Sequence, residues 1–278
     1  RLLAKDVDAR RRNLYIRTFS VIPLNENNGL IQWVNDTTVL RDILQGLYAS
    51  ELGPAAIKTS RIQELYSREL KPKGSHTPID FYEKVLLPEF PPIFHRWFID
   101  KFPAPSTWIA ARNAYTRTVA VWSMVGYLVG LGDRHAENIL FDAVTGDCVH
   151  VDFSCLFNKG ESLAVPERVP FRLTPNLVDA MGVCGYQGGF TEVCGVAMKV
   201  LRVNKDSLMN VLETFLHDPL VEWIKKQDEV PRILSRCERR LQGEVTRYPT
   251  DRDIRQVLSV DGQVRAVIAE AESSDNLA

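Results

Sequence analysis

Gly132-Asp-Arg-His-Ala-Glu-Asn-Ile-Leu-Phe-Asp-Ala-Val-Thr-Gly-Asp-Cys-Val-His-Val-Asp-Phe-Ser154 is the stretch on which the fold turns. Ile139 to Phe141 and Cys148 to Val151 are strand-like, and the turn-prone residues from Asp142 to Asp147 contain Gly146, so the stretch predicts a β-hairpin. Asn138 stands just before the first strand and Asp152 just after the second. Paired strands lie about 5 Å apart, so the open end of the hairpin brings an amide oxygen and a carboxylate side by side. Two hard oxygen ligands with room for waters and phosphate oxygens are what magnesium requires.

Upstream, residues 107–129 carry the strongest helical pattern in the chain, apolar nearly all round in its second half, as expected of a helix at the centre of a helical lobe. The apolar run 119–132 is too short for a hydrocarbon core, which needs about 20 residues. The residues from Phe81 to Phe102 are rich in aromatics and prolines, so helices there must be short or begin at a proline. Nearer the start, Leu14-Tyr-Ile-Arg-Thr-Phe-Ser-Val-Ile-Pro and Gly29-Leu-Ile-Gln-Trp-Val flank Asn25-Glu-Asn-Asn-Gly and predict an antiparallel hairpin. After it Val39, Ile43, Leu44 and Leu47 fall on one helix face, with Asp36 and Thr37 as candidate caps. Beyond residue 190 Val196, Val200, Leu208, Val211, Leu212 and Phe215 continue the helical spacing. A linker is expected near 225–231, then an amphipathic helix through Ile233, Leu234, Cys237, Leu241 and Val245, a break at 247–253, and a last helix through Val260, Val264, Val267, Ile268 and Ala271.

Composition narrows the function. The chain has 278 residues with 34 Lys and Arg against 35 Asp and Glu, a net charge of −1, so it has no basic excess for nucleic acid or anionic membrane. Its five cysteines include no C-x-x-C pair and read as free thiols of a reducing compartment.

Asp133 lies five residues before Asn138, the Asp-to-Asn spacing of the kinase catalytic loop H-R-D-x-x-x-x-N, and Asp152-Phe-Ser takes the place of D-F-G. The order Asp-Arg-His and the serine at 154 set the chain apart from ordinary protein kinases. With Ile22-Pro-Leu, Pro91-Pro-Ile-Phe-His, Val169-Pro-Phe-Arg-Leu-Thr and Thr214-Phe-Leu-His-Asp-Pro-Leu-Val-Glu-Trp, these elements resemble the phosphatidylinositol 3-kinase-related protein kinases, in their ATR-type checkpoint branch. The resemblance implies an α+β, two-lobed protein-kinase-like (PI3/PI4-kinase) fold, mostly the helical C-lobe with a remnant of the N-lobe sheet. It implies divisions at 1–34 (N-lobe remainder and hinge), 35–224 (C-lobe, with a catalytic loop at about 130–138 and an activation loop at about 152–174), 225–257 (regulatory) and 258–278 (start of an FATC segment). It also implies that the glycine-rich loop and the ATP-binding lysine precede Arg1.

Carried onto this sequence, the resemblance makes Asp133 and His135 catalytic and Asn138 and Asp152 magnesium ligands, with manganese as the alternative ion. Asp133 would orient the substrate hydroxyl and take its proton, and His135 would face the γ-phosphate, with a possible positive charge. Trp33 and Val34 would hold adenine from the hinge, with Ile31 at the back of its pocket, over a floor of Leu140 and Val151; read from the residues alone, these are apolar strand positions. Asn138 and Asp152 are expected at a cleft rim, not in a core. The resemblance further implies ATP, protein substrates, a regulatory partner protein with activators, and the nucleus. Two other readings stay open: a phosphoinositide kinase, disfavoured because Lys159, Arg168 and Arg172 are dispersed and faced by Glu161 and Glu167, and a catalytically silent interaction module.

Overall fold

Pro105 opens the longest helix of the computed structural model, its fixed φ suiting the first helical turn. The helix, α8 in chain order, runs from Pro105 to Val129 and stops where Gly130 turns left-handed at φ 59°. Tyr115, Val119, Ala120, Val121, Met124 and Leu128 are all buried, on several faces at once, so α8 is the axis of the lobe. The structure describes residues 1–25, 28–53, 59–69, 77–163, 165–217, 229–245 and 256–278. Before α8 come α1 (Leu2–Lys5), α2 (Val7–Arg11), α3 (Leu40–Leu52), α4 (Thr59–Glu69), α5 (Pro78–Phe81), a π-helical turn (Tyr82–Leu86), α6 (Leu87–Glu89) and α7 (His95–Lys101). After it come α9 (Pro175–Asp179), α10 (Gly189–Val203), α11 (Lys205–Leu216), α12 (Val230–Gln242), α13 (Val260–Glu272) and α14 (Ser274–Leu277).

The aromatic, proline-broken segment before α8 supplies short helices, and its rings fill the core. Phe94 packs 5.0 Å from Phe141 between ring centroids, and Phe98 5.0 Å from Tyr115. The Tyr115 hydroxyl, fully buried, donates to the Leu177 carbonyl at 2.6 Å. A buried tyrosine needs such an acceptor, so this bond fixes α9 against α8.

Strands β3 (Thr37–Val39), β4 (Ile139–Asp142) and β5 (Cys148–His150) form one antiparallel sheet in the order β3-β4-β5. Leu140 stands opposite both Val39 and Val149. The sheet is anchored to α8 by the Thr118 hydroxyl, which accepts the Cys148 N–H at 2.9 Å. A separate ribbon pairs β1 (Val21–Asn25) with β2 (Asn28–Ile31), and Ile22, Leu24, Leu30 and Ile31 are all exposed on it.

Three local readings are corrected. Thr37–Val39 is a strand, not a helix cap, because its backbone pairs with β4; α3 begins at Leu40 with no side-chain cap. Val245 is not on the amphipathic helix: Gly243, at φ 91°, ends α12, and Val245 pairs with Gln256 between the two-residue strands β6 (Glu244–Val245) and β7 (Gln256–Val257). The linker predicted at 225–231 is shorter at its end, because Val230 and Pro231 already open α12, proline suiting the first helical turn; its residues 225–228, the break at 247–253 and residues 218–223 of the quoted motif lie outside the described residues.

Candidate active site

β4 and β5 form the hairpin read from the sequence, and its open end is closed by one backbone bond, Val151 N–H to the Asn138 carbonyl at 3.1 Å. Asn138 and the Val151–Asp152 pair therefore meet where the strands diverge. The Asn138 side chain is buried and its Nδ2 donates to the Asp133 carbonyl at 2.8 Å, which settles the amide orientation because a carbonyl can only accept. Its Oδ1 takes no hydrogen bond among the described residues and is left as an oxygen donor. Asp152 is exposed, with Oδ1 accepting the Ser154 N–H at 2.9 Å. Bonds from the Ser154 hydroxyl and N–H hold its carboxyl below the ordinary aspartate range, so it is a carboxylate at neutral pH. The expectation that both side chains lie at a rim holds for Asp152 and fails for Asn138, because the Asn138 amide also ties the loop together.

Asp133 and Asp152 both have left-handed backbones, at φ 57° and 56°. Non-glycine residues rarely adopt that region, and a cluster of them is characteristic of sites under geometric constraint. Arg134 between them is buried and turned inward. Its Nε donates to the Gly132 carbonyl at 2.9 Å, one terminal nitrogen to the Val151 carbonyl at 2.7 Å, and the other to the Asp152 carbonyl. One guanidinium thus joins the loop that carries Asp133 to the strand end that carries Asp152, a rigid fork in the geometry arginine favours. Burial lowers its pKa from the usual guanidinium value, against the opposing pull of Asp152, Asp133 and Glu167.

His135 is half-exposed, and its Nδ1 accepts the Glu137 N–H at 3.1 Å. That leaves the proton on Nε2, which lies 4.0 Å from the Asp133 carboxylate. The ring therefore turns Nε2 toward the Asp133 carboxylate. His150, two residues before Asp152, is half-buried and stacked on Trp122 at 4.8 Å; desolvation of the ring pushes its pKa down to about 3.

The adenine set is only partly gathered. Leu140 and Val151 are half-buried on and after the hairpin, beside Asn138 and Asp152. Val34 is half-buried at the entry to β3, where its carbonyl accepts the Thr37 hydroxyl at 2.9 Å. Ile31 and Trp33 are open to solvent, Trp33 at 83 % exposure. Sequence reading missed Arg134 and Glu167. The first was visible as part of the motif, with no sign that it would turn inward; the second stands 34 residues from the loop it supports.

A family model described as phosphatidylinositol 3- and 4-kinase matches residues 1–225. The chain belongs to that family. Over its whole length it is 50% identical to "Serine/threonine-protein kinase ATR" of rice and 45% identical to "Protein kinase rad3" of fission yeast. It spans 10% and 11% of those relatives, about a tenth of their length. Among solved structures, "FAT and kinase domain of CtTel1" superposes with a TM-score of 0.85 at 34% identity, covering 99% of this chain and 19% of that one. Membership carries the expected α+β kinase-like fold, and the family's use of ATP with a divalent metal agrees with the oxygen donors of Asn138 and Asp152.

Proposed function

We propose that this chain is the catalytic region of an ATR-type serine/threonine protein kinase. It would transfer the γ-phosphoryl of ATP to serine or threonine followed by glutamine, in nuclear DNA-damage and replication checkpoint signalling. The observation that carries the reading is the convergence of Asp133, Asn138 and Asp152 around the buried Arg134 fork. Names of relatives in rice and fission yeast favour a protein substrate over a lipid. Residues 225–257 and 258–278 would be its regulatory segment and the start of its FATC segment. A regulatory partner protein and activators are part of the same reading.

Magnesium, held by Asn138 Oδ1 and Asp152, would neutralise charge on the transferring phosphates. Phosphoryl transfer needs little covalent help from the protein; positioning and charge placement carry it. Asp133 would take the hydroxyl hydrogen bond of the substrate serine and accept its proton as the phosphorus–oxygen bond forms. His135 would present Nε2–H to the γ-phosphate and to Asp133 in turn. Ile31, Trp33 and Val34 would cover adenine above Leu140 and Val151.

The test is a phosphotransfer assay on the full-length protein with two acceptors. A Ser-Gln peptide labelled in preference to phosphoinositide vesicles is expected; the reverse preference would overturn the protein-kinase reading. A second reading, a silent interaction module, is favoured by no specific observation.

A further inference from the structure

The backbone N–H of Asp133 donates to a side-chain carboxylate from a distant segment of the chain. Both Glu167 oxygens lie 2.8 Å from that nitrogen. Glu167 is itself held by its own N–H, which donates to the Gly160 carbonyl at 3.0 Å. The carboxylate occupies space that two glycines vacate: a Cβ on Gly132 or on Gly160 would overlap Glu167 Oε2. Gly132 is fixed from the same side, its N–H donating to the Cys155 carbonyl at 2.7 Å. Arg134 and Arg172 both feel the Glu167 charge, so the carboxylate is electrostatically supported where it stands.

We propose that Glu167 is a positioning residue for catalysis: its carboxylate, bound to the Asp133 N–H, holds the Asp133 backbone left-handed and so aims the Asp133 side chain. The inference rests on Asp133 acting as the base. A charged acceptor makes a stronger bond to an N–H than a neutral one, and a sparsely populated backbone conformation persists only where its surroundings enforce it. Glu167 lies in the segment that follows Asp152-Phe-Ser, within 152–174. Displacing that segment would therefore remove the acceptor, and the base would be assembled only while the segment is seated.

The experiment uses the full-length protein with Glu167→Ala, Glu167→Gln, Asp133→Asn and the Asp133→Asn/Glu167→Ala pair. Glu167→Ala is expected to lower kcat about 10- to 100-fold with KM for ATP within about twofold, the pattern of an interaction realised only in the transition state. Glu167→Gln, which keeps one acceptor oxygen, should recover part of that loss. In the double variant the Glu167 change should cost nothing beyond Asp133→Asn, because one residue acts through the other. Hydrogen exchange gives a readout independent of turnover: the 132–138 backbone should lose protection in Glu167→Ala while α8 keeps its own. Should Glu167→Ala destabilise the chain broadly, Glu167→Gln carries the same kinetic and exchange comparisons. Parental kcat in Glu167→Ala, a loss that multiplies with that of Asp133→Asn, or unchanged exchange at 132–138 would each overturn the proposal. Parental turnover in Asp133→Asn would instead overturn the base assignment itself, a distinguishable failure.

Discussion

Asn138 and Asp152 were read from the sequence as equivalent ligands, and their surroundings make them unequal. The Asp152 side chain is exposed and, among the described residues, bonded only to Ser154, whereas Asn138 is buried and its amide holds the Asp133 carbonyl. Asp152→Ala in the complete protein is therefore expected to abolish magnesium-dependent turnover with little change in melting temperature. Asn138→Ala should abolish turnover and also cost about 1–2 kcal/mol, since a part-buried carbonyl loses its donor. Magnesium titrations beside thermal melts separate the two, and equal melting losses would contradict the burial argument. Asp133→Ala should depress kcat by about 100-fold or more, the usual size of a general-base contribution, with ATP affinity nearly intact. Asp133, Asn138 and Asp152 could be picked out because their spacing matches a catalytic-loop pattern. Arg134 and Glu167 were not, because both act on backbone groups: a carbonyl or an N–H carries no residue signature, and only folding decides which one a side chain meets.

The β4–β5 hairpin was the most legible element, yet part of what stabilises its turn comes from elsewhere in the chain. Asp142 Oδ1 accepts the N–H groups of Val144 and Thr145, each at 2.7 Å, and Oδ2 is bound by Arg17 from the N-terminal segment. Burial pushes the Asp142 pKa up, but these bonds outweigh it and leave the carboxyl below its ordinary value. A group depressed on folding stabilises fully above its unfolded pKa, about 3.9, and that contribution is lost as the pH falls through the folded value. Asp142→Asn should thus cost about 1–3 kcal/mol at pH 7, and denaturant curves should show the gap to the parent narrowing below about pH 4. A gap independent of pH would mean that the charge is irrelevant to the turn. Gly146 in the same turn, at φ 79°, carries a second constraint, because a Cβ there would lie 2.6 Å from the Ala111 carbonyl of α8. Its turn propensity was visible in the sequence; the helix backbone pressed against it was not. β3 escaped recognition for a similar reason, since three residues are too few to display a period and its pairing with β4 spans about a hundred residues of chain.

Across the whole molecule, aromatic side chains join segments that the sequence keeps far apart. Phe19 stacks on Phe153 at 6.2 Å, Phe153 on Trp122 at 5.8 Å, and Trp122 on His150 at 4.8 Å. The stack runs from the N-terminal segment through Asp152-Phe-Ser to α8 and β5, and Tyr15, bonded to Asp147, fastens the same segment to the hairpin turn. The central position of α8 could be read from its apolar circumference, but a helix that is apolar all round gives no hint of which neighbour covers which face. If the stack carries coupling, the N-terminal segment should unfold with the lobe as one cooperative unit. Phe153→Leu and Phe19→Leu, which keep apolar volume and remove the ring, are each expected to lower stability. Their combination should fall short of the sum by about 0.5–1.5 kcal/mol, the coupling of one aromatic pair. Denaturant unfolding of the four proteins measures it, and with a single transition the same coupling should appear whether Trp emission or far-ultraviolet dichroism is followed. Strict additivity, or an early transition confined to one probe, would mean that the segment carrying Phe19 is a separate unit and that the stack transmits nothing between it and Asp152.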